Sequence, residues 1–246
     1  GKICPTDGLD NRFCPGYFGH IELVKPVFHY QFLDMALKTK KCYCHRCSAI
    51  LLDKEDEYEK IKIQEILKLP NKSRWAHYYD KICKTKVCYQ CGFVQPTKYS
   101  KEGLGKIYAE WKDSNSKELL TAERVQRLFR KISKEDCEIL GFSEDWCKPD
   151  WLICSVLPVS PPAVRPSIKQ SSGQRSEDDI THKLVDIIKN NNLLKKKLEN
   201  KNTSNETIKG FVDLLQYHIA TLVDNEIPNI VASSHRSGRP LKAIVQ

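Results

Sequence analysis

The 246-residue chain lacks the two features that would direct it through or into a membrane. No apolar run approaches the roughly 20 residues that a membrane-spanning helix needs. Its start, Gly1 to Cys4, contains a lysine and leads into a Gly- and Asp-rich loop, which is not the pattern of a signal peptide. We therefore predict an intracellular protein with no membrane partner. The glycosylation sequons carry little weight in that setting; they lie at Asn71, Asn202 and Asn205.

An initial methionine is also missing, and the chain stops at Val245-Gln246 without a turn or a tail. These ends predict a fragment of a longer protein. The length itself suffices for one large domain or two small ones.

Cysteine, by contrast, is abundant: the chain has 11, an odd number. Without a secretory signal, metal ligands and reduced core thiols are expected more than disulfides. Four of the cysteines form two Cys-x-x-Cys pairs that are far apart in the sequence. Each pair can place two thiolates on one tight turn, and four thiolates on two such turns suit tetrahedral zinc. A disulfide framework and a redox-active pair are the alternatives. We predict a structural zinc, bound as part of folding, at Cys44, Cys47, Cys88 and Cys91.

Residues 1–26 offer a second, weaker site within a predicted loop that Gly, Pro and Asp punctuate. Without a Cys-x-x-Cys pair, the alternative is a compact turn that holds two reduced thiols. The candidate ligands for a second zinc are Cys4, Asp7, Cys14 and His20. Three further cysteines lie in apolar surroundings, and we predict that they are reduced core thiols: Cys137, Cys147 and Cys154.

The pattern of apolar residues predicts an α+β fold: an irregular zinc-stabilised core of mixed helices and short antiparallel strands, plus a long antiparallel helical hairpin. In the core we expect a strand over 21–24, helices over 27–38, 55–69 and 73–83, a hairpin or meander over 93–111, and helices that begin at Thr121 and Ser133. The helix over 27–38 is expected to bury Phe28, Phe32, Met35 and Ala36.

Two long helical patterns then follow. Ser176 is the predicted N-cap of the first, with Glu177, Asp178 and Asp179 in a first turn where the helix dipole favours acids. The run from Thr203 to Glu206 has the capping-box pattern and opens the second. Apolar residues recur at near-heptad spacing, which predicts an antiparallel coiled coil. An ordinary pair of core helices accounts for the stripes equally well.

The formal net charge of +9 favours an anionic partner, with nucleic acid the first candidate. The proline-rich stretch 157–167 predicts an extended arm, and a basic segment with Arg175 follows it. The loop from His235 to Lys242 combines Gly and Pro with cations that can lie on phosphates, although a solvated loop is the alternative. The candidate nucleic-acid contacts are Arg236, Arg239, Lys242 and Arg175.

Taken in series, these motifs resemble the amino-terminal clamp of the largest subunit of multisubunit DNA-directed RNA polymerases. The resemblance runs the whole length and is closest to the eukaryotic polymerase II type. The segments that carry it are Cys14 to Leu23 (CPGYFGHIEL), Lys25 to His29 (KPVFH), the arm from Leu157 to Ile168, Glu177-Asp178-Asp179 and Ser237-Gly238-Arg239-Pro240.

The resemblance implies a zinc-binding clamp core over 1–156, an arm and lid over 157–176, a clamp coiled coil over 177–224 and a truncated rudder over 225–246. In that family the lid helps to part RNA from the DNA–RNA hybrid, and the coiled coil docks initiation and elongation factors. The implied partners are template DNA, the hybrid and the other subunits, especially the second-largest. The whole subunit would be a nucleotidyltransferase whose catalytic magnesium lies outside this fragment, which then has no catalytic residue of its own.

The chain departs from the family at its other clamp zinc, which uses three cysteines and a histidine. Cys4 and Cys14 match two of these positions, but Asp7 stands at a cysteine position and Tyr17 at the histidine. His20 is the substitute, or the zinc is absent. The loss of these ligands and the Lys/Asn-rich composition resemble those of an RNA polymerase of a large DNA virus. Such an enzyme would be located in the host cytoplasm or the virion, whereas a cellular enzyme would be located in the nucleus. The competing class is a stand-alone zinc-dependent nucleic-acid-binding or adaptor protein.

Overall fold

The computed structural model describes residues 3–10, 12–169, 171 and 173–245. The chain divides into two compact units: Pro26–Cys154 forms one, and Gly1–Lys25 with Ser155–Gln246 forms the other. Within the described ranges, no helix is both long and apolar enough to cross a membrane. The functional boundaries after 156, 176 and 224 stay a prediction, and residues 170 and 172 of the predicted arm lie outside the described residues.

Helices and short strands are mixed along the chain, so the predicted α+β class is confirmed. The helices are α1 (Leu33–Cys42), α2 (Glu57–Leu67), α3 (Asn71–Ile82), α4 (Ala122–Arg130), α5 (Lys134–Ile139), α6 (Asp179–Glu199) and α7 (Asn205–Val223). The strands are β1 (Gly19–Phe28), β2 (Lys98–Glu102), β3 (Lys106–Trp111), β4 (Ser116–Leu120), β5 (Ile153–Val159), β6 (Ile168–Lys169) and β7 (Arg175–Ser176). They form three sheets: β1 with β5, antiparallel β2-β3-β4, and antiparallel β6 with β7.

The unit Pro26–Cys154 is built around one buried cluster that α1, the β2-β3-β4 sheet, α4 and α5 share. Each large apolar side chain removed from water contributes roughly 1.5–3 kcal/mol. The buried Tyr43 hydroxyl donates to the Asp136 carbonyl (3.0 Å), and the Asp136 carboxylate accepts the Ile50 N–H (3.0 Å). Cys44 and Cys88 belong to this core, so the predicted zinc site and the hydrophobic core are one structure.

The first helix is shorter than predicted, because residues 25–28 continue β1 and α1 begins only at Leu33. The apolar stripe expected on residues 27–38 is therefore partly wrong. Phe28 and Ala36 are buried, but Phe32 is 46% exposed and Met35 40% exposed. The meander also continues beyond Trp111 into β4, a strand the sequence reading missed.

Two helix starts are where local signals place them. The side chains of Thr121 and Ser133 accept the N–H groups of Arg124 and Asp136, as N-caps do. Four other predicted starts are wrong by one or two residues. The second helix begins at Glu57 rather than at position 55, and the third begins at Asn71 rather than at position 73. Asp178, not Ser176, caps α6, and Ser204, not Thr203, caps α7.

In the other unit, α6 and α7 pack together and run in opposite directions. Lys183 near the start of α6 donates to Thr221 near the end of α7 (2.6 Å), and the Asn190 amide donates to the Phe211 carbonyl (3.1 Å). At 1.5 Å per residue, the 21 residues of α6 extend roughly 30 Å. Apolar residues are buried on both helices: Leu184, Ile187, Leu194, Leu215, Ile219 and Leu222.

None of the three cysteines expected as core thiols is in a disulfide, but only two of them are shielded from solvent. Cys137 is buried and Cys154 half-buried. Cys147 is exposed, which contradicts that prediction: it lies in a tight turn whose backbone bonds return to Ser143.

Candidate metal centres and basic loop

Each of the two predicted cysteine knuckles is a tight turn closed by the same hydrogen bonds. In the first, the Cys44 N–H donates to Ala49 (2.8 Å), and the Ser48 N–H returns to the Cys44 carbonyl (3.2 Å). In the second, the Cys88 N–H donates to Phe93 (3.0 Å), and the Gly92 N–H returns to the Cys88 carbonyl (2.9 Å). Ser48 and Gly92 both have a φ of 67°, so the glycine serves the second turn as the sequence predicts.

The four knuckle sulfurs converge at one point. All lie within 4.8 Å of one another. The Sγ atoms of Cys44 and Cys91 are 3.6 Å apart, and those of Cys47 and Cys88 are 3.7 Å apart. A tetrahedral ion with zinc–sulfur bonds of about 2.3 Å holds its sulfurs about 3.8 Å apart, so the donor set and its spacing fit zinc. None of these sulfurs is in a disulfide.

Hydrogen bonds single out one of the four thiols. Burial acts to raise the pKa of Cys44. The N–H groups of Cys47 and Arg46 point to its sulfur, however, and the side-chain amide of Gln95 donates to it at 3.4 Å. Together these hydrogen bonds lower the pKa of Cys44 to about 7. Burial raises the pKa of Cys47 to about 12 and also raises the pKa of Cys88. These donors favour the thiolate form of Cys44, which is the form in which a cysteine binds a metal.

A polar network that the sequence reading missed surrounds this first knuckle. Gln95 accepts the His45 N–H (2.9 Å) and so holds the turn from its other side. The buried His45 ring lies 3.1 Å from Glu118, which is also ion-paired with Arg124. Burial and the nearby Lys40 charge lower the pKa of His45 to about 4, so it is neutral at pH 7. No local sequence pattern predicts these contacts, because they join residues that are far apart in the sequence.

The second candidate site repeats the knuckle backbone with a carboxylate in place of one thiol. The Cys4 N–H donates to Leu9 (2.8 Å), the Gly8 N–H returns to Cys4 (2.9 Å), and Gly8 has a φ of 70°. Ligand atoms of Cys4, Asp7 and Cys14 lie within 4.8 Å of one another. Asp7 therefore occupies the place of the second cysteine of a knuckle.

His20, the predicted fourth ligand, lies outside this group, and its Nε2 is 3.9 Å from Glu22. Tyr17 faces the group instead: its hydroxyl donates to the Asp7 carboxylate at 3.0 Å. That hydrogen bond raises the pKa of Tyr17, whereas the Leu9 N–H is the main cause that lowers the pKa of Asp7. The site thus offers three ligands and a phenol that stays protonated, which is a weaker zinc site than four thiolates.

The predicted nucleic-acid loop after α7 is fastened at its base. The Asn225 amide donates to the carbonyls of Ser233 (2.9 Å) and Leu241 (2.7 Å). Both guanidinium nitrogens of Arg239 donate to the Asp179 carboxylate, at 2.7 and 2.9 Å, and the Lys242 N–H donates to it at 3.0 Å. The loop therefore has one defined path along the start of α6.

The four predicted nucleic-acid contacts fall into two groups. Arg239 is ion-paired with Asp179. The side chains of Arg175, Arg236 and Lys242 are exposed and have no ion pair with the residues that the structure describes. These three cations are available to an anion, because a phosphate need not displace a carboxylate from them.

Two compact units, one with a split four-cysteine cluster and one with a long helix pair and a basic loop, make this a cysteine-knuckle protein whose clustered thiols could hold a structural metal. The chain belongs to the family described as RNA polymerase Rpb1, domain 1, which matches residues 2–246. It is 39% identical over 256 residues to DNA-directed RNA polymerase subunit Rpo1N of Methanocaldococcus jannaschii; the match covers 100% of this chain and 18% of that subunit. The resemblance drawn from the motifs is confirmed: the chain is an amino-terminal part of a largest RNA polymerase subunit.

Proposed function

We propose that this chain is the clamp segment of the largest polymerase subunit and closes over template DNA and the DNA–RNA hybrid during transcription. The observation that carries the proposal is the fastened basic loop of residues 225–245, in a chain that matches the family throughout. A loop that keeps exposed cations on a fixed path suits a nucleic-acid backbone, which is recognised by charge at defined spacing.

Zinc has a structural role in this proposal. Its ligands would be Cys44, Cys47, Cys88 and Cys91, whose turns are part of the core of the unit Pro26–Cys154. Four protein thiolates leave no open position on the ion, so the metal supplies folding free energy and no chemistry on a substrate. The catalytic magnesium of the enzyme would lie in parts of the subunit beyond this chain, and this segment would contribute no catalytic group.

The helix pair α6–α7 is proposed as the clamp coiled coil that docks initiation and elongation factors. Its buried residues account for packing within the pair, yet several large apolar side chains stay exposed on it, and such residues favour a protein partner. They are Val185, Ile188, Leu193 and Leu214. The arm and lid over 157–176 and the rudder over 225–246 would lie near the hybrid, with the second-largest subunit as a neighbour.

The test uses the assembled polymerase with Ile188→Glu and Leu193→Glu together in α6, at side chains that are 42% and 47% exposed. We expect factor-dependent initiation to fall by about tenfold or more, whereas extension of a primed DNA–RNA scaffold without factors is unchanged. Tyr58→Glu, at an exposed residue of α2, is the matched control. Normal factor binding by the double variant would refute the docking role.

A further inference from the structure

Lys40 is a buried lysine with no carboxylate partner among the residues that the structure describes. It lies in the last turn of α1, and only 1% of the residue is exposed. Its Nζ donates to the Tyr43 carbonyl at 3.1 Å and lies 5.7 Å from the centre of the Tyr99 ring. Across the described ranges, no carboxylate comes within 4.0 Å of that nitrogen. A buried charge is costly unless another charge offsets it, so this position requires an explanation.

Few of the charged groups that face Lys40 can offset its positive charge. Arg124 repels it, and Glu118, a carboxylate that attracts it, is already ion-paired with Arg124. Cys42 attracts it weakly, but burial raises the pKa of that thiol far above neutrality. The Tyr43 carbonyl to which Lys40 donates belongs to the peptide bond that leads into Cys44, so the Lys40 side chain lies beside a ligand of the proposed zinc site.

The zinc site in turn needs positive charge. A divalent ion with four thiolates has two net negative charges, and two of these ligands, Cys44 and Cys88, are buried. The hydrogen-bond donors around Cys44, the Gln95 amide and the Arg46 N–H, bring partial charges only. Lys40 is a full positive charge buried in the same unit, at the carbonyl of the residue that precedes Cys44.

We propose that Lys40 is the internal counter-cation of the four-thiolate centre. The ammonium offsets the negative charge of the metal-bound sulfurs, and the loaded site in turn stabilises an ammonium that would otherwise be buried unpaired. Groups that surround metal ligands tune the metal in this way. The inference rests on the proposed structural zinc and adds a positioning residue to it.

The test compares three variants of the full 246-residue chain. Lys40→Met removes the charge at similar length, Lys40→Arg keeps the charge, and Lys38→Met removes an exposed lysine from the same helix. Zinc affinity is measured at pH 7 by competition with a chelator. We expect Lys40→Met to bind zinc about 10–100-fold more weakly than wild type, Lys40→Arg to recover most of that loss, and Lys38→Met to match wild type.

A spectroscopic readout separates charge from packing. In the cobalt-loaded chain, loss of a nearby cation raises the energy of the sulfur donor orbitals, so the sulfur-to-cobalt charge-transfer bands of Lys40→Met should move to longer wavelength. Unchanged zinc affinity and unchanged bands in Lys40→Met would overturn the proposal. Equal losses in the Met and Arg variants with unmoved bands would assign Lys40 to packing alone. A wild-type chain that binds no zinc would instead refute the zinc site itself.

Discussion

At the scale of single residues, the four knuckle cysteines are the thiols whose sulfurs converge as a set of four. Cys83 is the useful comparison, because it is half-buried and lies outside the converging group. A substitution at each position changes the same atom, so any difference reports the metal.

We predict that Cys88→Ser removes the zinc and destabilises the unit Pro26–Cys154 by about 3–5 kcal/mol, because a structural metal contributes directly to folding. Cys83→Ser should retain one zinc per chain and lose much less stability. Metal analysis and thermal unfolding of the purified chain measure both. Full zinc content and an unchanged melting temperature in Cys88→Ser would contradict the site.

The site around Cys4 differs from the four-cysteine site at two side chains, Asp7 and Tyr17, which hydrogen-bond to each other. We predict that the wild-type chain retains one tight zinc after mild chelation. The double variant Asp7→Cys, Tyr17→His should retain two, since it supplies a ligand set of three thiolates and an imidazole. Zinc content after dialysis against a chelator distinguishes these states, and two zinc ions in the wild type would show that the site is already complete.

The convergence of the four knuckle cysteines was predictable from the sequence, whereas their surroundings were not. A knuckle is local: Cys-x-x-Cys and the glycine after Cys91 specify the turn by themselves. Lys40, His45 and Gln95 meet only after the chain has folded, and nothing in their own neighbourhoods marks them as partners of the site. The position of His20 was likewise not predictable, because no rule of sequence spacing shows that it lies outside the group formed by Cys4, Asp7 and Cys14.

At the scale of elements, boundaries set by local chemistry were predicted well. Pro70 separates α2 from α3, and Thr121 and Ser133 cap α4 and α5 through their own side chains. Elements that depend on distant partners were missed or shifted. β1 runs on to Phe28 because it pairs with β5, more than a hundred residues later, and β4 exists because β3 is there to pair with it.

The start of α6 gives a prediction at this scale, since the Asp179 carboxylate fastens the basic loop through Arg239 and the Lys242 N–H. The Arg239 guanidinium holds the pKa of Asp179 below its ordinary value. A carboxyl with a lowered folded-state pKa stabilises the fold above its unfolded value of about 3.9, and that contribution is lost as the pH falls through the lowered pKa. Between pH 5 and 8 the contribution is therefore constant.

We predict that Asp179→Asn reduces the protection of the Lys242 amide against hydrogen exchange by about 1 kcal/mol at pH 6. The difference from wild type should begin to shrink below about pH 3.9 and disappear once the pH has fallen through the lowered pKa of the folded carboxyl. Asp113→Asn, at an exposed residue of the other unit, is the control. Equal protection in Asp179→Asn and wild type at pH 6 would show that other contacts fix the loop.

At the scale of the whole molecule, the net charge of +9 attracts nucleic acid only in a general way. The structure narrows that attraction to particular side chains. Arg239 has a carboxylate partner in its own chain, while Arg236 on the same loop is exposed and is not ion-paired with any residue that the structure describes. Two arginines three residues apart therefore play different parts: one holds the loop and the other is open to phosphate.

That division predicts two different responses to salt when the assembled polymerase binds a DNA–RNA scaffold. Arg236→Ala should lower the slope of log affinity against log salt by about 0.9, the value for one lost phosphate contact. Arg239→Ala should weaken binding with a smaller change of slope, because it loosens the loop and frees Asp179. Arg127→Ala, on α4 in the other unit, should leave both quantities as in wild type. An unchanged slope in Arg236→Ala would exclude that phosphate contact, and a full unit lost in Arg239→Ala would mean that phosphate replaces Asp179 as its partner.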